Sequence, residues 1–242
     1  MTTAYEQEIL AWRAARKKRL VAEDGFLSIV SKVLLDEGPN LIEPGGVTAL
    51  LEKGEVRLEP GRGAKPALEG PELWTQGTLR FEVLRRGRET YLRVKDKGSA
   101  RLRGFAGIEY FPIDPTLRVV ARLEPYTPHK PVELDYEEGL QEAYESPGRA
   151  VFEVNGVPVS LDPVLDHGSP RLYVLLRDET SKDSTYGAGR FLYAPLPSDG
   201  KVVLDFNQAF NPPCAFNEHV SCPIVPRQNR LAVRIEAGEK KP

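Results

Sequence analysis

Two cysteines and a histidine stand at metal-ligand spacing near the C-terminal end: Cys214, His219 and Cys222 read C-x4-H-x2-C. Thiolate and imidazole are soft enough for zinc, and three protein ligands with water in the fourth position is the pattern of a catalytic site. Asp205 or Glu218 would then supply the base. A thiol nucleophile activated by His219 is a second chemistry for the same residues. A disulfide between the cysteines is a third, worth roughly 2–3 kcal/mol for so short a loop. The plainest alternative is two buried thiols packed under a proline-rich turn. Zinc apart, no cofactor is expected.

A second set of polar residues follows two apolar runs, Leu172–Leu176 and Val202–Leu204. Arg177, Asp178, Tyr186 and Arg190 come after the first; Asp205, Asn207 and Asn211 come after the second. Both clusters leave the ends of strands, so one rim formed by residues 177–230 would hold them together. Arg190 precedes the apolar Phe191-Leu192 and is read as partly buried, with Asp178 or Asp205 as its partner. It is either a structural ion pair or a bidentate clamp for a carboxylate or phosphate. Asp178, Thr180, Ser181 and Thr185 also suit side-chain turns that tie down a long loop. Gly187-Ala188-Gly189 is not a phosphate loop, because no Lys-Ser/Thr follows it. His129 and His167 sit in proline- and glycine-rich loops and are expected to face solvent.

The elements around these residues are mostly strands. Thr3 and Glu6 have capping-box spacing, and Tyr5, Ile9 and Trp12 repeat on one helical face. A short N-terminal helix docked by Trp12 is the expectation. From Gly25 onward the period is two. Phe26–Leu35 is β-rich. Leu79, Phe81 and Val83 pair with Leu92 and Val94 across the turn Arg85-Arg86-Gly87-Arg88. Leu117, Val119, Ala121 and Leu123 alternate as a half-buried strand. Asn155-Gly156 joins Phe152 and Val154 to Val157, Val159 and Leu161 as a hairpin. The runs 172–176 and 202–204 read as central strands, and Leu231, Val233 and Ile235 as a closing one. Frequent short strands without alternating helices point to a sandwich or barrel.

The 242 residues carry 40% hydrophobic and 28% charged side chains, which excludes disordered, collagen-like and disulfide-rich classes. A net charge of -2 excludes a globally basic nucleic-acid binder. Residues 80–103 hold nine Lys or Arg, but few aromatics stand among them to stack bases, so they read as a charged solvent face. Residues 133–145 hold six Asp or Glu and no Lys or Arg. No apolar run reaches ~18 residues, and the first residues lack the pattern of a signal peptide. The expected setting is the cytoplasm, with no membrane partner.

The segments T-Y-G-A-G-R-F (185–191), D-F-N-Q-A-F-N-P-P-C-A-F (205–216) and C-P-I-V-P-R-Q-N-R-L (222–231) resemble the signature of a bacterial and fungal family, domain of unknown function 1684. R-G-F-A-G-I-E-Y-F-P-I-D-P and S-P-G-R-A-V-F-E-V fit the same pattern. The resemblance implies no activity. For the front part it implies a forkhead-associated-like β-sandwich, but residues 43–48, Glu43-Pro44-Gly45-Gly46-Val47-Thr48, lack the Asn-Asp that would hold a phosphopeptide. Together these readings give an all-β protein with two packed β-sandwich or barrel-like units. Residues 1–24 form the helix, 25–104 the first β unit and 105–242 the second. The leading function is a soluble binding module for a small molecule or peptide. A zinc- or thiol-dependent hydrolase and a ligand-free interaction domain are the alternatives.

Overall fold

A computed structural model describes residues 2–59, 67–70, 72–136 and 139–242. The fold is 47% strand. Among the described residues the strands form four antiparallel sheets, and none closes into a barrel. The chain divides into two compact units. One runs from the N-terminus through Lys17, then Gly107–Ala215 and Ser221–Pro242. The other is Lys18–Ala106 with Phe216–Val220. This differs from the contiguous division 1–24, 25–104, 105–242. The short return segment has a physical cause: Asn217 Nδ2 donates to Phe26 O at 2.6 Å and Ile29 O at 2.9 Å, satisfying two carbonyls of the second-named unit.

Helix α1 spans Ala4–Leu20. Its start is the capping box read from the sequence: Glu6 N donates to Thr3 Oγ1 at 3.1 Å, and Thr3 N donates to Glu6 Oε2 at 2.6 Å. On the face that docks it, Ile9 is fully buried and Trp12 half-buried. Arg16 is also buried.

The unit holding residues 18–106 packs two sheets over one core. Strands β1 (Ile29–Leu34), β8 (Glu89–Asp96), β7 (Leu79–Arg86), β6 (Leu73–Gln76) and β5 (Ala67–Gly70) lie in that order. Strands β2 (Gly38–Ile42), β3 (Val47–Glu52) and β4 (Glu55–Glu59) form the other sheet. Ile42, Val47, Leu51, Phe81, Leu92 and Val94 fill the space enclosed. Phe26–Ser28 is a 3-10 turn, so the β-rich run begins as a strand at Ile29. The β7–β8 hairpin turns where expected, with Arg86 opposite Glu89. Within its basic stretch, Glu82 holds Lys95 at 2.9 Å and Arg80 at 3.1 Å.

In the other unit, β11 (Val157–Leu161), β10 (Gln141–Val154), β9 (Arg118–Asp135) and β15 (Lys201–Asp205) make one sheet in that order. Strands β12 (Val164–Leu165), β13 (Arg171–Leu176) and β14 (Arg190–Pro195) make the second. Ala121, Phe152, Leu161, Leu172, Val174, Leu192, Leu204 and Phe206 share the core. Asn155 and Gly156 adopt φ 51° and 77°, the two positive values that a tight hairpin turn demands. Strand β13 is central, as its apolar run implies. Strand β15 is an edge strand, although its run has the same texture. Its continuous apolarity serves an interior on one face while Val203 stays half-buried on the other.

The last expected strand is not one. Leu231, Val233 and Ile235 alternate as buried residues with exposed neighbours, yet among the described residues they join no ladder. Their backbone groups are met singly: Leu231 N donates to Arg177 O at 2.7 Å, and Val233 O accepts from Glu179 N at 2.9 Å. Further along, Glu239 N donates to Ala209 O at 2.9 Å and Gly238 O accepts from Phe111 N at 3.0 Å, and buried side chains hold the stretch between. Of the acidic residues in 133–145, Glu137 and Glu138 lie outside the described residues. No helix among the described residues is long and apolar enough to cross a membrane.

Candidate functional site

The polar residues after β13 and β15 divide into three places, all in the unit that contains Gly107–Ala215. The first is interior. Arg190 opens β14 and is 0% exposed. Its Nη1 donates to Ala237 O, and its Nη2 donates to Ile235 O at 2.9 Å and Asp178 Oδ1 at 3.3 Å. Asp178 Oδ2 accepts from Ile235 N at 2.6 Å, and Oδ1 accepts from Thr180 Oγ1 at 2.8 Å. Arg190 and Asp178 thus supply the tail with the donors and acceptor that a neighbouring strand would give. Burial pushes the guanidinium pKa down, and Asp178 pushes it back up. The expected ion pair is present, but it is sealed from solvent and is no ligand clamp.

Asn211 belongs to the same tail anchor. Its Nδ2 donates to Lys240 O at 2.7 Å, and its N donates to Glu239 Oε2 at 2.7 Å. Arg16 Nε completes the set on Glu239 Oε1 at 2.9 Å. Burial raises the Glu239 carboxyl pKa, opposed by the Arg16 cation.

The second place holds the start of α1. Tyr5 Oη donates to Asp205 Oδ1 at 2.9 Å and accepts from Asn207 Nδ2 at 2.8 Å. Asn207 also bridges the backbone of Asp114, donating to its carbonyl at 2.8 Å and accepting from its N–H at 2.9 Å. Burial, then the Asp205 carboxylate, pushes the Tyr5 phenol pKa well up. Asp205 and Asn207 are buried members of this anchor, not rim contacts.

The third place is open. A cleft of about 160 Å³ is lined by Arg177, Phe191, Cys214, Cys222, Val225 and Arg230, among others. Arg177 N donates to Asn229 O at 3.1 Å, and the two strand-like segments run parallel there, setting Arg177 beside Arg230. Asn229 fixes this register from below: it is buried, and its Nδ2 donates to Leu175 O at 2.9 Å and Asp162 O at 3.1 Å. Arg177 is half-buried and Arg230 exposed, and among the described residues neither enters an ion pair. Phe191 forms one wall and is itself braced edge-on by Tyr173 at 5.2 Å and Phe210 at 6.1 Å.

Gly189 lets the chain pass behind this wall. It adopts φ +107°, and a Cβ there would lie 2.6 Å from Leu176 O and 2.7 Å from Val225 Cγ2.

Cys214 and Cys222 are thiols on the lining of the cleft. Cys214 N donates to Cys222 Sγ at 3.4 Å, and Tyr186 Oη donates to Cys214 Sγ at 3.9 Å. His219 belongs to the other unit, where its N–H donates to Asn217 Oδ1 at 2.9 Å. Among the described residues no three His, Cys, Asp or Glu side chains are grouped to hold a metal. The C-x4-H-x2-C spacing therefore does not assemble as a three-ligand set. Glu218, named as a base, pairs with Arg101 at 2.5 Å. His129 and His167 are both exposed; the His167 ring also packs against Tyr144, tilted by 33° with centroids 4.3 Å apart.

Of the residues named from sequence, the open cleft gathers Arg177, Cys214 and Cys222, with Tyr186 beside Cys214. Arg230 is the residue that sequence reasoning missed. Its pairing with Arg177 depends on a bridge across more than fifty residues, for which no local pattern exists.

The sequence pattern described as "Protein of unknown function (DUF1684)" matches residues 103–240. A solution NMR structure of the uncharacterized protein from gene locus rrnAC0354 of Haloarcula marismortui is 31% identical. That likeness covers 59% of this chain and 80% of that one, with a TM-score of 0.49. No curated protein matches.

Proposed function

The chain belongs to the DUF1684 family, which brings no assigned chemistry, and we propose from its own geometry that it is a soluble cytoplasmic binding module for a small organic acid. The observation that carries this reading is the cleft with Arg177 and Arg230 side by side at its lining and Phe191 and Val225 on its walls. Two guanidiniums without carboxylate partners suit a carboxylate or phosphate, which they grip through charge-assisted hydrogen bonds. The apolar walls suit a short carbon skeleton. The volume of about 160 Å³ equals that of roughly five waters, which fits a small molecule and not a peptide segment.

The zinc-hydrolase alternative finds no three-ligand group among the described residues to support it. The test uses the full chain and a panel of short-chain carboxylic acids, with inorganic phosphate and a neutral ester as controls, read by ligand-observed NMR. At least one acid binds and its ester does not. Each charge-assisted hydrogen bond contributes about 1.5–3 kcal/mol, so Arg177→Ala or Arg230→Ala weakens that binding about tenfold or more. Both variants keep the wild-type melting temperature. Binding that survives the double variant, or an ester that binds as well as its acid, refutes the reading.

A further inference from the structure

The chain leaves one unit after Ala215 and returns to it at Ser221. Cys214 and Cys222 stand just inside these two crossings, one on each stem of the excursion. The Cys222 sulfur reaches the Cys214 backbone: Cys222 Sγ accepts a hydrogen bond from the Cys214 backbone nitrogen at 3.4 Å. The Cβ that carries the Cys214 sulfur is two covalent bonds from that same nitrogen, so rotation about χ1 swings one sulfur toward the other. Disulfide closure needs Cβ atoms about 3.5–4.5 Å apart, which a small adjustment of two loop stems can provide.

The two thiols differ in access. Cys214 is partly exposed, whereas Cys222 is 8% exposed. A thiolate on either finds a donor in place, the Tyr186 hydroxyl for Cys214 and the Cys214 N–H for Cys222. Arg177 and Arg230 line the same cleft. An incoming molecule that bears carboxylates is drawn to that lining by charge.

We propose that Cys214 and Cys222 form a thiol–disulfide exchange site whose co-reactant is a small disulfide carrying carboxylates. Cys214 gives its proton to water, and its thiolate attacks one sulfur of the disulfide. That S–S bond breaks, a mixed disulfide forms on Cys214, and the departing thiolate takes a proton from water. Cys222 then gives its proton to water and attacks the Cys214 sulfur. The mixed disulfide breaks, the Cys214–Cys222 bond forms, and a second small thiol leaves. The protein loses two hydrogens, and the small disulfide is reduced to two thiols. The product ties together the stems of the excursion that carries Phe216–Val220. This proposal stands on the cysteines and survives if no organic acid binds; organic-acid binding measured on Cys214→Ser separates the two.

The test incubates the reduced full chain with oxidised glutathione, quenches with acid, alkylates remaining thiols and measures intact mass with a peptide map. The wild type loses both alkylatable thiols, gains no lasting adduct and yields a peptide linked between Cys214 and Cys222. Cys222→Ser stops one step earlier and retains one glutathione on Cys214. Cys214→Ser, which leaves only the buried thiol, reacts about tenfold more slowly or less, because exchange depends on access. If Cys222→Ser fails to fold, Cys222→Ala replaces it, and the wild-type linkage is measured independently of either. A wild type that keeps both thiols, a link formed between two molecules, or equal glutathione uptake by the two single variants overturns the proposal.

Discussion

Replacing Arg190 with Ala removes the side chain that stands in for a strand beside the C-terminal tail. The loss is specific: Ile235 O and Ala237 O lose their donors, and Asp178 loses its cation while staying buried. Breaking a fully buried pair by deleting one partner costs about 3–5 kcal/mol, since the remaining charge is left uncompensated. Orphaned carbonyls contribute in the same direction, about 1–3 kcal/mol each when unrelieved by water. These do not add fully, because a detached tail lets water reach all three groups. A net loss of about 4 kcal/mol lowers the melting temperature by roughly 10–15 °C for a chain of this size. Urea unfolding gives the free energy, and amide hydrogen exchange gives its location. Protection is lost first at Leu231, Ile235 and Glu239, whose N–H groups bond Arg177 O, Asp178 Oδ2 and Ala209 O. A destabilisation under about 1 kcal/mol, or one that spreads evenly over the unit without early exchange in the tail, refutes the assignment of Arg190 as its clasp.

Two further expectations come from the same unit. Asp183 is held by both Nη atoms of Arg234, at 3.0 and 3.1 Å, and its carboxyl pKa is pulled from 3.8 down to about 2. A depressed acid contributes stability above its unfolded pKa and loses it as pH falls, so this pair weakens between pH 3.8 and about 2. NMR titration of the Asp183 carboxyl shows the low midpoint in the wild type and a return toward the ordinary value in Arg234→Gln; an unchanged midpoint refutes the pairing. Gly189→Ala forces a Cβ into Leu176 O and Val225 at positive φ, costing about 2–4 kcal/mol from strain and overpacking. Gly187→Ala, whose Cβ would meet Ser181 O at 3.8 Å, changes urea stability by less than about 0.5 kcal/mol. Equal behaviour of the two variants refutes the close packing at Gly189.

Local rules made some elements legible from the residues alone. The capping box at Thr3 and Glu6, the Asn155-Gly156 turn and the Gly87 hairpin each depend on a few adjacent residues. The alternation through Leu231, Val233 and Ile235 correctly marked a buried face. It could not say what would pair the backbone, because a period of two fixes side-chain direction and not the identity of the neighbour. In the same way Val202–Leu204 looked central but lies at an edge, since burial of a run reports its surroundings and not its place in the ladder.

The candidate site shows the same division more sharply. Residue types and spacing determined that cysteines, arginines and carboxylates are concentrated after β13 and β15. Tertiary structure decided which of them meet water. Asp178, Arg190, Asn207 and Asn211 were drawn inward, because tail and helix carry backbone groups that need partners once buried. Arg177 was left at the surface, and Arg230 was brought beside it by a single bridge between distant segments. Cys214 and Cys222 were kept in one unit while His219 went with the other. Sequence separation constrains which residues can be near, but long-range hydrogen bonds such as those of Asn217 and Asn229 choose among the possibilities. That choice turns a three-residue metal pattern into a two-thiol cleft.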